Sequence, residues 1–242
     1  MGKRKVRVPG SVERVLDVAL DKALAIQRPA VLSYLDRVRA KRPDASPAQV
    51  IGQLEHRYRT AVIGIGAASG GAAAVPGVGT AGSLAAGAAE ITAFVSATAM
   101  YVLAVAEIHG VPVSDPEVRR ALVLAVLVGE GGAAAVAGAS VEGASVEGAH
   151  WAQVIGRSNS HDKISGVNGR LAHLLVTRFG ARQGALLFGR ALPLGIGAGI
   201  GAAGNAALAR SAISAGRRAF GPPPRRFSPR VVDVGPPPRE LR

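Results

Sequence analysis

Val12, Val15, Leu16, Ala19, Leu20, Ala23 and Leu24 recur at the i, i+3, i+4 spacing of one helical face, with Glu13, Asp17 and Asp21 opposite. The spacing predicts a first amphipathic helix that ends near Arg28 and Pro29. Val31, Leu32, Leu35 and Val38 predict a short second one. Ser46-Pro47-Ala48-Gln49 is a capping box with proline at the first helical position, so a third helix starts there, its face running through Val50, Leu54 and Tyr58. Ser114-Asp115-Pro116-Glu117 is a second capping signal, opening a helix through Leu122, Val123, Val126 and Leu127.

Between these two signals the polar positions vanish. Residues 61–89 hold no charge over 29 positions and residues 91–106 none over 16. Pro76-Gly77-Val78-Gly79 interrupts the first run and reads as a tight hairpin between two helices. Residues 138–149 contain the pentapeptide Gly-Ala-Ser-Val-Glu twice, a period that fits neither helix nor strand and reads as a local duplication in a loop. Residues 151–168 are polar and read as loop or short turns. Residues 171–190 are helical again, with Leu171, Leu174, Leu175 and Phe179 inside and Arg170, Arg178 and Arg182 outside; residues 191–209 form a last uncharged stretch. Nothing alternates as a strand does, so the expected fold is an all-α helical bundle with Gly/Ala-rich central hairpin helices. The expected organisation is a basic arm over residues 1–10, a helical domain over 11–220, and a disordered Pro/Arg-rich tail over 221–242 with two triprolines.

Charge sharpens this picture. The chain has 242 residues, 29 Lys+Arg, 16 Asp+Glu and a net charge of +13, but the balance is +7 over residues 1–60, −5 over 61–156 and +11 over 157–242. An apolar, mildly acidic centre therefore lies between arginine-rich ends. Zero cysteine excludes a disulfide framework, thiolate metal sites and cysteine nucleophiles. Residues 11–28 mix charge with apolar positions where a secretory signal would have an apolar core, so secretion is not expected.

An apolar run of ~20 residues is the length of a membrane-spanning helix. Here the runs are weak. Residues 61–89 contain six strongly apolar side chains, which supply about −2 to −4 kcal/mol, while a central Glu90 costs the next helix roughly +3 kcal/mol. Glu130 burdens the helix that begins at Glu117 in the same way. Two readings fit. In one, glycine-rich helices pack within or against a bilayer through the pairs Gly66/Gly70, Gly195/Gly199 and Gly197/Gly201, with Glu90 and Glu130 turned inward, and the short segment before Pro76 forming a re-entrant hairpin. In the other, the same helices are the core of a soluble bundle. The basic ends favour an anionic lipid surface, contacted by Arg217, Arg218, Arg225 and Arg226.

Val75-Pro76-Gly77-Val78-Gly79-Thr80, then Glu90, then Tyr101 through Glu107-Ile108-His109-Gly110 resemble the EcsC family of bacterial proteins, and Leu192-Pro193-Leu194-Gly195 with Gly199, Asn205 and Ala206 resembles that family's closing helix. The similarity spans roughly residues 12–220. It implies a helical protein of the bacterial cytoplasmic membrane with an accessory or scaffolding role beside an ABC transport or secretion system; the basic charge at both termini would place them on the cytoplasmic side. It transfers no catalytic residue, because the family's biochemical activity is unknown.

Gly77-x-Gly79-x-x-Gly82 and Gly199-x-Gly201-x-x-Gly204 mimic a dinucleotide fingerprint, but Ala72 to Pro76 is no strand, and helix packing explains the glycines better. His56, His109, His150, His161 and His173 show no metal-ligand spacing, and Ser158 and Ser160 lack a nucleophile elbow. No catalytic constellation, cofactor or metal site is expected. Glu90, between Ala89 and Ile91, stands out as a carboxylate costly to bury unless paired, with Glu130 and Asn205 as further candidate buried polar residues. The competing function is a soluble, cytoplasmic basic helical protein binding nucleic acid or another polyanion through Arg225, Arg226 and Arg230.

Overall fold

The computed structural model describes residues 10–25, 28–72, 79–137, 150–156, 161–189 and 196–227. Among them there are helices and no strand, as the sequence predicts. Helix α1 (Gly10–Leu24) buries Leu16, Ala19, Leu20 and Ala23 and leaves Arg14, Asp17, Asp21 and Lys22 in solvent. Helix α2 (Arg28–Arg39) buries Val31, Leu35 and Val38. Helix α3 (Pro47–Ala72) opens on the predicted capping box. The Ser46 amide donates to Gln49 Oε1 at 2.8 Å and the Gln49 amide to Ser46 Oγ at 3.4 Å.

The buried stripe of α3 runs Val50, Leu54, Tyr58, Val62, Gly66, Gly70 at a strict four-residue interval. From Tyr58 onward side-chain size falls to nothing along it, so α3 can draw progressively closer to its neighbour. That neighbour is α9 (Ile196–Phe220), with which α3 makes the most extensive helix pair in the molecule. Helix α4 (Gly79–His109) is the central element, touching α1, α2, α3, α5 and α9. Its Ala85–His109 stretch is long and apolar enough to cross a membrane, yet 67% of that stretch's apolar window is covered by the rest of the bundle. Arg28, at the start of α2, grips Glu107 near the end of α4 through Nε–Oε1 at 2.6 Å and Nη2–Oε2 at 3.1 Å.

Helix α5 (Pro116–Val128) is capped by Asp115, whose Oδ1 accepts from the Glu117 amide at 2.8 Å, and is apolar and buried over every residue from Ala121 to its end. Gly129, at φ 76°, ends it. Glu130 therefore does not burden an apolar helix from within; it opens a separate short helix, α6 (Glu130–Ala137), at the terminus where an acidic residue is favoured. The Gly-Ala-Ser-Val-Glu duplication lies outside the described residues.

Residues 151–168, expected to be loop, are helical over most of their length: α7 (Trp151–Gly156) buries Trp151, Ala152 and Ile155, and α8 (His161–Gly189) begins ten residues before the predicted start. Ile164, Val167, Leu171 and Leu175 form its inner face, and the polar residues that disguised it (Asp162, Ser165, Arg170) all point outward. Leu174, expected inside, is 39% exposed. Asn168 replaces an apolar residue on that face and donates to Glu117 Oε2 at 2.7 Å, linking α8 to α5. Beyond α9, residues 221–227 lie against the bundle. Phe227 packs on the core with the Arg39 guanidinium 4.1 Å above its ring, so the placed chain extends past the predicted tail boundary at 221.

Candidate functional site

The glycine spacing does what close packing requires at Gly66/Gly70 and at Gly201 of the Gly197/Gly201 pair. A Cβ on Gly66 of α3 would collide with the carbonyl oxygen of Gly201 on α9, and one on Gly201 with the carbonyl of Gly66, while Gly70 Cα lies 3.7 Å from the same position. The Gly66/Gly70 pair therefore meets Gly201. Gly199, proposed for the same task, is exposed with open space around it, and its pair partner Gly195 lies outside the described residues. Pro76 and Gly77 lie outside them too, and Gly79 is the first residue of α4.

Just beside this crossing two of the sequence's three polar candidates come together. Asn205 on α9 is 6% exposed and donates through Nδ2 to the Val62 carbonyl at 3.1 Å and to Glu90 Oε1 at 3.2 Å. Ser69 on α3 donates to Glu90 Oε2 at 2.6 Å. Each Glu90 oxygen thus accepts a hydrogen bond from a different helix, and α3, α4 and α9 are tied at one level. The arrangement suits a structural knot, in which hydroxyl, amide and carboxylate bond to one another across three helices. Among the described residues no group of three or more His, Asp or Glu side chains is placed to hold a metal ion. The side chain of Glu130 lies outside what is described.

The four arginines assigned to an anionic surface divide. Arg217 is committed to a buried partner: its Nε and Nη2 donate to Glu55 Oε1 and Oε2 at 2.8 and 2.5 Å, and Glu55 is 4% exposed. This bidentate hydrogen bond, and then the carboxylate's charge, raise the Arg217 pKa. Arg218 is exposed and donates to Ser214 Oγ at 2.7 Å, and Arg225 and Arg226 are exposed in the segment after α9. Sequence reasoning missed Glu55, although the signal that singled out Glu90 was present: a carboxylate on the apolar face of a helix, here with Ile51, Leu54 and Tyr58.

Comparison with protein-family models, curated proteins and solved structures finds no match to this chain.

Proposed function

We propose that the chain is an EcsC-like, membrane-associated accessory or scaffolding protein, and that it docks shallowly by the end where α3, α4 and α9 converge. The observation that carries the reading is the chemistry of that end. From Ala61 to Ala89, and along α9 up to Ala209, no described residue is charged, and the solvent-facing positions are small and uncharged: Ala61, Gly64, Ala68, Ala85, Gly199 and Ala203. Such a surface loses little on leaving water.

Geometry argues for docking over spanning. The most apolar helix, α4, is already wrapped by protein. Helix α3 runs twelve residues past Thr60, roughly 18 Å, which is about half of a ~30 Å hydrocarbon core. Arg217 stands sixteen residues beyond Gly201 on α9, roughly 24 Å along its axis. The arginines of that end therefore face away from a shallowly docked membrane. There, Arg218, Arg225 and Arg226 offer a partner surface suited to an acidic protein segment, in keeping with a scaffolding role for a transport or secretion component.

Vesicle flotation tests this. The protein should float with phospholipid vesicles, and Gly199→Glu or Ala203→Glu, which place a charge on the docking end where there is room for it, should abolish flotation with helix content unchanged. Flotation that is lost instead in Arg225→Ala/Arg226→Ala, or retention on DNA that falls steeply with salt and no flotation at all, would favour the soluble polyanion-binding reading.

A further inference from the structure

At the glycine crossing α3, α4 and α9 touch; towards the opposite end they part and leave a half-open cavity of about 520 Å³ between them. This volume falls in the range of small-molecule sites. Tyr101, Val105 and His109 form its floor on one face of α4 at four-residue intervals, so the floor is about 12 Å long. Glycine keeps it open. Gly52 has nothing within 4 Å of where a Cβ would be, and a Cβ at Gly216 would come within 3.1 Å of the Tyr101 hydroxyl. Gly221 forms part of the roof at φ +77°, and any side chain there would run into the His150 ring.

Two polar groups face this cavity from the ends of its floor. Tyr58 and Tyr101 stack with centroids 4.8 Å apart. The Tyr58 hydroxyl pairs with Thr98 Oγ1 at 2.9 Å. Tyr101 is 3% exposed, and among the described residues its hydroxyl makes no hydrogen bond. At the other end of the floor, His109 Nδ1 lies 2.9 Å from the Val105 carbonyl, while Nε2 is enclosed without a hydrogen bond. An unpartnered buried polar group costs about 1–3 kcal/mol, so the covered His109 Nε2, with the Tyr101 hydroxyl at the other end of the same floor, points to a ligand that meets both.

The walls restrict what that visitor is. Glu55 and Arg217 line the cavity at the Tyr101 end but neutralise each other. A charged ligand would pair with one of them and strand the other. The His109 end is aromatic, with the Phe220 ring 5.4 Å from His109 and the His150 ring beside them. We infer that the cavity binds an uncharged, elongated, ring-bearing molecule with a hydrogen-bonding group at each end, one meeting Tyr101 beside the Glu55–Arg217 pair and the other meeting His109.

2,6-Dihydroxynaphthalene has this chemistry and serves as the probe, with naphthalene-2,6-disulfonate as its charged counterpart and naphthalene as the one without polar ends. Binding is read by calorimetry and by the fluorescence of Trp151, the chain's one tryptophan and the residue next to His150. The diol should bind saturably to the full chain and the disulfonate should not. Tyr101→Phe should weaken the diol about tenfold, the loss of one hydrogen bond, and leave naphthalene unaffected. Gly52→Phe, which fills open space and removes a helix-interior glycine, should abolish binding while helix content and melting temperature hold. The proposal is overturned if the diol does not saturate, if neither substitution changes its affinity, or if the disulfonate binds as tightly.

Discussion

The carbonyl oxygen of Gly201 on α9 occupies the space in which a side chain at Gly66 on α3 would begin. Gly66→Ala must therefore force α3 and α9 apart or displace Asn205, whose Nδ2 lies 2.6 Å from the same point. Overpacking of this kind costs about 1–3 kcal/mol or more, against under 1 kcal/mol regained from helix propensity. Gly64, two residues earlier, has nothing within 4 Å, so Gly64→Ala should stabilise by about 0.5–1 kcal/mol. Denaturant unfolding of the two single variants should show shifts of opposite sign. Equal shifts would mean that the crossing is not tight.

The Glu90 knot should behave as one unit. Ser69→Ala and Asn205→Ala each remove one donor to a Glu90 oxygen and should cost about 1–2 kcal/mol. In a Glu90→Gln background the loss on removing either should shrink, because the bond to the carboxylate is already weakened. Double-mutant cycles measure this directly, and additive costs would show that the three residues are energetically independent.

Arg217 and Arg218 are neighbours on α9 with different standing. Arg217→Ala leaves the Glu55 carboxylate buried without its partner, a change that costs 3–5 kcal/mol when both members are buried. Here the arginine side chain is 66% exposed, water can partly replace it, and about 1–3 kcal/mol is expected. Arg218→Ala should lie within about 0.5 kcal/mol of the parent. Replacing Glu55 by Gln together with Arg217→Ala should recover part of the loss, as thermal unfolding would show.

How far the fold could be read from sequence depended on where the polar residues sat. Ser46 and Asp115 announced their helices because a cap is a local bond between residues two or three apart. Gly66 showed its role through spacing on one helix, but spacing does not name the partner, and Gly201 took the place that Gly199 shared. Asn205 and Glu90 met because both interrupt apolar faces. The first turns of α8 were hidden for the converse reason: Asp162, Ser165 and Arg170 dominate the composition while Ile164, Val167 and Leu171 set the period. The pairing of Glu55 with Arg217 joins residues 162 positions apart, and no local pattern specifies that. The cavity was likewise illegible, since it is space left between three helices.

His109 ties stability to pH. Burial lowers its pKa below the ordinary value of 6.5, and the nearby His150 adds to that, opposed by the carbonyl bonds that favour the protonated ring. A histidine whose folded pKa is depressed is neutral in the native state while its unfolded counterpart takes up a proton. The unfolded state thus binds more protons below pH 6.5, and stability must fall as pH drops from there towards the depressed folded value. Above pH 6.5 neither state is protonated at this position and its contribution is flat. The unfolding free energy of the parent should therefore decline as pH falls below about 6.5, and part of that decline should vanish in His109→Gln, which keeps a hydrogen-bonding end but does not titrate. An identical pH profile for parent and variant would place the titration elsewhere. Occupancy of the cavity should raise stability near neutral pH and steepen the decline in the parent, because a ligand bound to neutral His109 further opposes protonation of the folded state.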